Sequence, residues 1–358
     1  MDIENELKLM LREEKKFNTR LYSAGEYWRD KTKKIVKQMR RKTLAGFRGY
    51  DSGVGTSYCD NVVTDNRNEV YGGFRGLVYQ LFNFLPFFSR VVSSHVALAK
   101  GYHQEQLVLK NILYAKDPIV RSLLARYKIE NSTSFGCIDK VTIDGRDYSC
   151  LYLELLNTHG FISVFVDFSR VRTMLEIGGG FGANVHILLQ NHPNICKVFY
   201  LDIVPNLIVG TEYLKSLYGK SVVEFVPRSP EEKIQFKDND DIEIVCIAPW
   251  QIEALDSAID YFHNANSFVE MPVEVVRNYG SFIAKLLRPS GRVALVSYDR
   301  HDPATTFAPE LLSELFGCNL NREEYPVILG GRRRIYFKLS KINHRRKRQA
   351  HILNLTAS

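Results

Sequence analysis

Nine residues, Met174-Leu175-Glu176-Ile177-Gly178-Gly179-Gly180-Phe181-Gly182, constrain this chain more than any other stretch. A short apolar run breaks into a glycine turn, and a helix is expected at once from Ala183 to Gln190. The skeleton is acid-x-Gly-x-Gly-x-Gly. Twenty residues past Gly182, a second apolar run from Val198 to Leu201 ends on Asp202. Strand, glycine turn, helix, strand and terminal acid make the first half of a nucleotide-binding α/β unit. The glycines let the backbone approach a ligand closely. The acid can accept hydrogen bonds from ribose hydroxyls.

The spacing narrows the choice of nucleotide. A dinucleotide fingerprint is Gly-x-Gly-x-x-Gly with pyrophosphate at a helix N-terminus. Here the third glycine comes one residue early, and Glu176 at the strand end would repel pyrophosphate but suit a cationic amino-acid moiety. No Gly-Lys-Ser/Thr follows, which excludes a Walker loop. The pattern resembles the first motif of the class I S-adenosylmethionine-dependent methyltransferases, with Asp202 at the place of their ribose-binding acid. That resemblance implies that Glu176, Gly178, Gly180 and Gly182 shape a methionine pocket and Asp202 holds the ribose.

Strands alternate with helices after Asp202. A helix from Val204 to Tyr218 precedes a strand Val222–Val226. Further strands are expected at Ile242–Ile247 and, after a helix, at Val293–Tyr298, with a closing strand pair from Ile328 to Leu339 around Gly330-Gly331. Alternation of this kind gives an α/β fold: a doubly wound, mostly parallel, Rossmann-like sheet whose ligand sits beyond the carboxyl ends of the strands. The first 150 residues read differently. Residues 2–45 show helical spacing (Leu7, Met10, Leu11, Tyr27, Trp28, Ile35, Val36, Met39). Seven glycines between Gly46 and Gly76 mark a long loop, and Leu77 to about Lys128 is again helical, with a dense aromatic stripe to Phe88. That stripe suits core packing, a cavity wall or the face of a homodimer. Asp117-Pro118 starts a further helix, and residues 137–150 form a β-hairpin about Asp144-Gly145. The expected organisation is a mainly helical cap over 1–150, a cofactor-binding domain over 151–340 and a flexible basic tail over 341–358.

Charge is unevenly spread. The net +8 splits into +7 on residues 1–50 and +9 on residues 325–358, leaving −8 on the body. Basic ends on an acidic body do not make a continuous groove for nucleic acid, so nucleic acid is disfavoured as a partner. Six cysteines without a CxxC pair argue against disulfides or a zinc site and fit a reducing cytoplasm. No apolar run reaches the ~18 residues of a membrane span, and no signal peptide is expected.

Methyl transfer to a hydroxyl needs alignment and a positioned base. Behind the fourth expected strand lie Trp250, Gln251, Glu253, His263 and Glu270; behind the fifth lie Asp299, His301 and Asp302. Trp250 could cover the adenine or belong to the core. His263 is a candidate base. Glu270 is another, although Ser267-Phe268-Val269-Glu270 also fits a capping box. Asp299 and His301 could act as a base or join an oxygen-rich Mg²⁺ site. Ala248-Pro249-Trp250 lacks the side chain that amino-group methylation uses, and Cys246 lies inside a strand, away from cytosine chemistry. Oxygen is the acceptor left by subtraction.

Together with Asn266-Ser267-Phe268-Val269-Glu270-Met271 and the helical N-terminal region, these motifs look like the bacterial putative sugar O-methyltransferases. The resemblance implies S-adenosylmethionine as donor and a hydroxyl of a sugar, in a glycan or glycosylated small molecule, as acceptor. Two other readings remain at this point: an RNA or protein methyltransferase docking through its basic ends, and a non-catalytic cofactor-binding subunit.

Overall fold

The computed structural model describes residues 3–17, 19–22, 25–39, 44–49, 111–112, 114–137, 140–229, 231–298, 314, 320–324, 328 and 348–354. The expected loop from Gly46 to Gly76 lies outside them from Tyr50 onward, its first four residues belonging to the 3₁₀ turn Leu44–Gly49; the aromatic stripe and nearly all of the closing pair at 328–339 also lie outside.

The helices are α1 (Ile3–Glu14), α2 (Thr19–Tyr22), α3 (Gly25–Met39), α4 (Pro118–Arg126), α5 (Cys150–Ile162), α6 (Ala183–Asn191), α7 (Val204–Tyr218) and α8 (Val273–Leu286). A hairpin pairs β1 (Lys140–Ile143) with β2 (Arg146–Ser149); its turn residues Asp144 and Gly145 both have positive φ, as a tight two-residue hairpin turn requires. The main sheet holds β3 (Thr173–Ile177), β4 (Lys197–Leu201), β5 (Val222–Val223), β6 (Glu243–Ile247), β7 (Ile259–Ala265), β8 (Leu287–Tyr298), β9 (Leu320–Glu324) and β10 (Arg348–Asn354). Their order is β5-β6-β4-β3-β7-β8-β10-β9. Pairings from β5 across to β8 are parallel, and β10 runs antiparallel to both β8 and β9. The doubly wound, mostly parallel sheet expected from the sequence is therefore present.

Every residue of β3, β4 and β6 is buried, as a sheet covered on both faces demands. In register across the sheet, Glu176 pairs with Tyr200 and with His263, and Tyr200 pairs with Cys246, so these four side chains share the face covered by α6 and α7. The other face is aromatic: Phe199 stacks on Phe236 with centroids 3.9 Å apart, and Phe262 meets Phe268, which stacks on Tyr279 of α8. The N-terminal helices pack directly on this body. α1 lies against α7, α2 against α8, and α3 against the 3₁₀ turn Phe268–Glu270.

Three expectations need correction. The stretch behind the fourth expected strand contains a strand of its own, β7, which the pattern hides because Asp260, His263 and Asn264 interrupt its apolar residues. β5 stops at Val223 rather than Val226. The tail beyond 341 is not wholly flexible, since residues 348–354 form β10, whose Ile352 and Leu353 extend a β-prone run behind the basic cluster. Among the described residues, no helix is long and apolar enough to cross a membrane.

Candidate functional site

Strand order reverses beside β3. The chain moves outward from β3 through β4 to the edge strand β5, steps back to β6 between them, and then crosses to place β7 and β8 on the other side. Connections leaving β3 and β7 in opposite directions open a crevice at the carboxyl ends of these strands.

The glycine turn forms one wall of that crevice. Gly178 has φ +74°, and a Cβ there would lie 2.3 Å from Ser267 Oγ, so the turn and the segment after β7 touch at backbone distance. Gly180 has φ +63° with nothing within 4 Å of its missing Cβ, so its flank is open. The turn is clamped from below and from the side. The Tyr200 hydroxyl donates to the Gly180 carbonyl at 2.6 Å, and the Gly180 amide donates to Asp202 Oδ2 at 2.7 Å. The Ile203 amide donates to Asp202 Oδ1 at 2.7 Å, which makes Asp202 the tie between the turn after β3 and the loop after β4.

On the β7 side, Asn264 forms a second clamp. Its Nδ2 donates to the Ile177 carbonyl at 2.9 Å and to Ser267 Oγ at 2.5 Å, while its Oδ1 accepts from the Phe268 amide at 3.2 Å. Ser267 Oγ in turn donates to the Ile177 carbonyl at 3.2 Å. The Ser267 side chain thus serves β3 and makes no cap bond to the following turn, so the capping-box expectation fails.

Three carboxylates border the crevice. Glu176 is buried; Asn184 Nδ2 donates to its Oε1 at 3.0 Å, and its Oε2 has no partner. Burial pushes its carboxyl up to about 8, with the charge of Asp202 adding to the rise against the Asn184 bond. Burial likewise lifts Asp202 to about 7, opposed by the donors from Gly180, Ile203 and Asn206 and assisted by Glu270. Glu270 is half-buried, and its Oε2 accepts from Trp28 Nε1 of α3 at 2.7 Å. Desolvated acids that raise one another favour a cation and disfavour a pyrophosphate.

The remaining candidates fall elsewhere. His263 lies inside β7, 2% exposed, with Nδ1 2.8 Å from the Tyr261 hydroxyl and Nε2 without a partner. Burial lowers it to about 4, so it is neutral, and a side chain enclosed by the sheet and its helices cannot reach an acceptor hydroxyl. Its assignment as a base is corrected on that ground. Trp250 sits in the 3₁₀ turn Pro249–Ala254 after β6, two strands away from β3, and is 5% exposed. Phe17 stacks on it at 5.3 Å and Phe225 meets it edge-on at 6.1 Å, so its ring belongs to the core. Asp299 and His301 lie outside the described residues. Among the described residues no three His, Cys, Asp or Glu side chains gather as metal ligands. Sequence reasoning missed Asn184, Tyr200, Asn264 and Trp28, whose tasks depend on partners distant along the chain.

No family model matches the chain, and no curated protein does. Among solved structures it is similar to an O-methyltransferase family protein from Burkholderia thailandensis (14% identity, 57% of this chain and 58% of that one, TM-score 0.37). It is similar to phosphoethanolamine N-methyltransferase 2 from Haemonchus contortus in complex with S-adenosyl-L-methionine (13%, 56% and 52%, 0.37) and to a SAM dependent methyltransferase from Aquifex aeolicus (15%, 58% and 94%, 0.37). The match spans little more than half the length of the first two proteins. Likeness of this order concerns the path of the chain alone; activity has to come from the site.

Proposed function

We propose that the crevice binds S-adenosylmethionine and that the chain transfers its methyl group to a hydroxyl of a sugar, in a glycan or a glycosylated small molecule. The carrying observation is Asp202. It stands at the end of β4 with one amide bond to each carboxylate oxygen, next to the open flank of Gly180. With Asn206 as a third donor, the carboxylate keeps acceptor capacity for a ribose hydroxyl. The orphaned Oε2 of Glu176 supports the same reading, because a buried carboxylate without a partner is costly and an ammonium or sulfonium group nearby would offset that cost.

When bound, the cofactor supplies an electrophilic methyl group. The chain's own residues do the rest. Asp202 and the glycine turn fix the nucleoside, Glu176 faces the cationic end, and Glu270 orients the acceptor hydroxyl and takes its proton. A carboxylate suits that task where the acceptor's proton is lost as its oxygen bonds to carbon. The sugar acceptor rests on the family resemblance and on the elimination of nitrogen and carbon acceptors.

Calorimetry with S-adenosylhomocysteine tests the donor. Wild type should bind, and Asp202→Ala should not. Transfer of a labelled methyl group from S-adenosylmethionine to a panel of UDP-glucose, GDP-mannose, dTDP-rhamnose and free glycans tests the acceptor. Absence of cofactor binding in the wild type would remove the whole reading; binding without any labelled sugar would remove the acceptor class.

A further inference from the structure

Trp28 is 242 residues away from Glu270 in sequence, yet its indole Nε1 donates to Glu270 Oε2 at 2.7 Å. The approach is built into the backbone. Gly25 opens α3 with φ +71°, and a Cβ there would lie 3.2 Å from the Glu270 carbonyl oxygen and 3.2 Å from Pro272 Cδ. Only a glycine lets α3 begin this close to the segment after β7. Further along, Ile35 and Met39 of the same helix are buried in the core, and the preceding Tyr22 hydroxyl bonds to Glu253. The indole is therefore held from a fixed helix. Lys31, one turn on, places its ammonium 4.9 Å from the centre of the Trp28 ring and interacts electrostatically with Glu270.

Glu270 lies on the post-β7 segment whose Ser267 touches the glycine turn, and it is near enough to Asp202 to disfavour that residue's charge. Its carboxylate is therefore bonded to the N-terminal helices while lying within electrostatic reach of Asp202. We infer that Trp28 is the positioning residue for Glu270, so that the acceptor site is assembled between α3 and the turn after β7. The indole N–H fixes the plane of the carboxylate, and Lys31 adds positive charge behind the ring. This rests on the methyltransferase reading above and adds that the N-terminal helices belong to the reaction centre.

Trp28→Phe keeps the ring and deletes the donor. With a sugar nucleotide that the wild type methylates, kcat should fall roughly ten- to a hundredfold. The dissociation constant for S-adenosylhomocysteine should stay within about twofold, since the deleted donor bonds to Glu270 on the acceptor side. The acid limb of the pH–rate profile should move to higher pH, and Trp28→Phe should add little to Glu270→Gln. A purely structural contact would change the melting temperature without moving the pH profile. A spectroscopic arm needs no turnover. The chain has two tryptophans, so Trp250→Phe assigns the ¹⁵N-indole signals. The Trp28 signal should shift in Glu270→Gln, and shift again when UDP-glucose, GDP-mannose or dTDP-rhamnose is added to protein saturated with S-adenosylhomocysteine. A wild type that binds S-adenosylhomocysteine while its Trp28 signal ignores both Glu270→Gln and every sugar nucleotide overturns the inference. Unaltered kcat and pH profile in Trp28→Phe overturn it as well. A wild type that binds no S-adenosylhomocysteine overturns the reading beneath it.

Discussion

The two ends of the parallel sheet use buried acidic side chains in opposite ways. At the amino ends, carboxylates are matched. Asp260 near the start of β7 accepts from the amides of Arg172 and Thr173 at 2.9 Å each, from Thr173 Oγ1 at 3.0 Å, and from Arg288. Burial pushes its carboxyl up, but Arg288 and these donors outweigh burial and hold it below the ordinary value. Beside it, Lys197 at the start of β4 pairs with Glu243 at the start of β6 at 3.1 Å, both side chains under a tenth exposed, and the Lys237 amide also donates to Glu243. At the carboxyl ends, Glu176 and Asp202 are desolvated with no cationic partner among the described residues, Glu176 Oε2 has no hydrogen-bond partner, and both carboxyls rise. One end holds the sheet together. The other keeps charge in reserve for a ligand.

The sharpest way to break this comparison is Asp202→Ala. Losing its charge-assisted hydrogen bond to ribose should cost about ten- to a hundredfold in S-adenosylhomocysteine affinity, measured by calorimetry, with a smaller loss of ligand-free stability from the Gly180 and Ile203 amides left without their acceptor. Lys197→Met should do the reverse. Leaving the Glu243 charge buried without its ammonium, with only the Lys237 amide, should cost about 3–5 kcal/mol of stability in denaturant titrations, with cofactor affinity in the folded fraction nearly unchanged.

Acidity separates the two ends next. Glu176 and Asp202 have folded values above their unfolded ones, so their contribution to stability is greatest when they are protonated and is lost as pH rises through about 7 to 8. The ligand-free melting temperature should therefore fall between pH 6 and pH 9, and Glu176→Gln should flatten that fall. Cofactor affinity should rise over the same interval, with proton release detected by calorimetry in buffers of different ionisation enthalpy. Asp260 has the opposite sign. Its stabilisation is present above the ordinary aspartate value and disappears as pH drops through its lowered folded value. Asp260→Asn should cost the smallest amount, about 1–2 kcal/mol near neutrality, and should make acid unfolding less steep below pH 4.

Local patterns were readable from the sequence. The glycine turn, Asp202, α7 from Val204 to Tyr218 and the Asp144-Gly145 hairpin depend on neighbours in the chain, and all of them formed. β7 was not readable, because its polar residues serve buried tasks. Asp260 anchors its start, His263 meets Tyr261, and Asn264 clamps Ile177. A strand with polar residues at such positions has no clean period, although its backbone sits near the centre of the sheet. His263 then looked like a loop histidine, and Trp250 like a candidate adenine cover. Contacts such as Trp28 with Glu270 carry no local signal at all. They follow only from the N-terminal helices folding back over the strand ends.

The position of β10 bears on how the molecule is made. Residues 348–354 enter between β8 and β9, so neither neighbour has that pairing until this segment emerges from synthesis. Until then the edge of β8 offers a row of unpaired backbone groups to any extended strand nearby. A segment that looked like a solvated tail thus becomes the last piece to close the sheet, and the one whose removal would leave nascent chains open to aggregation.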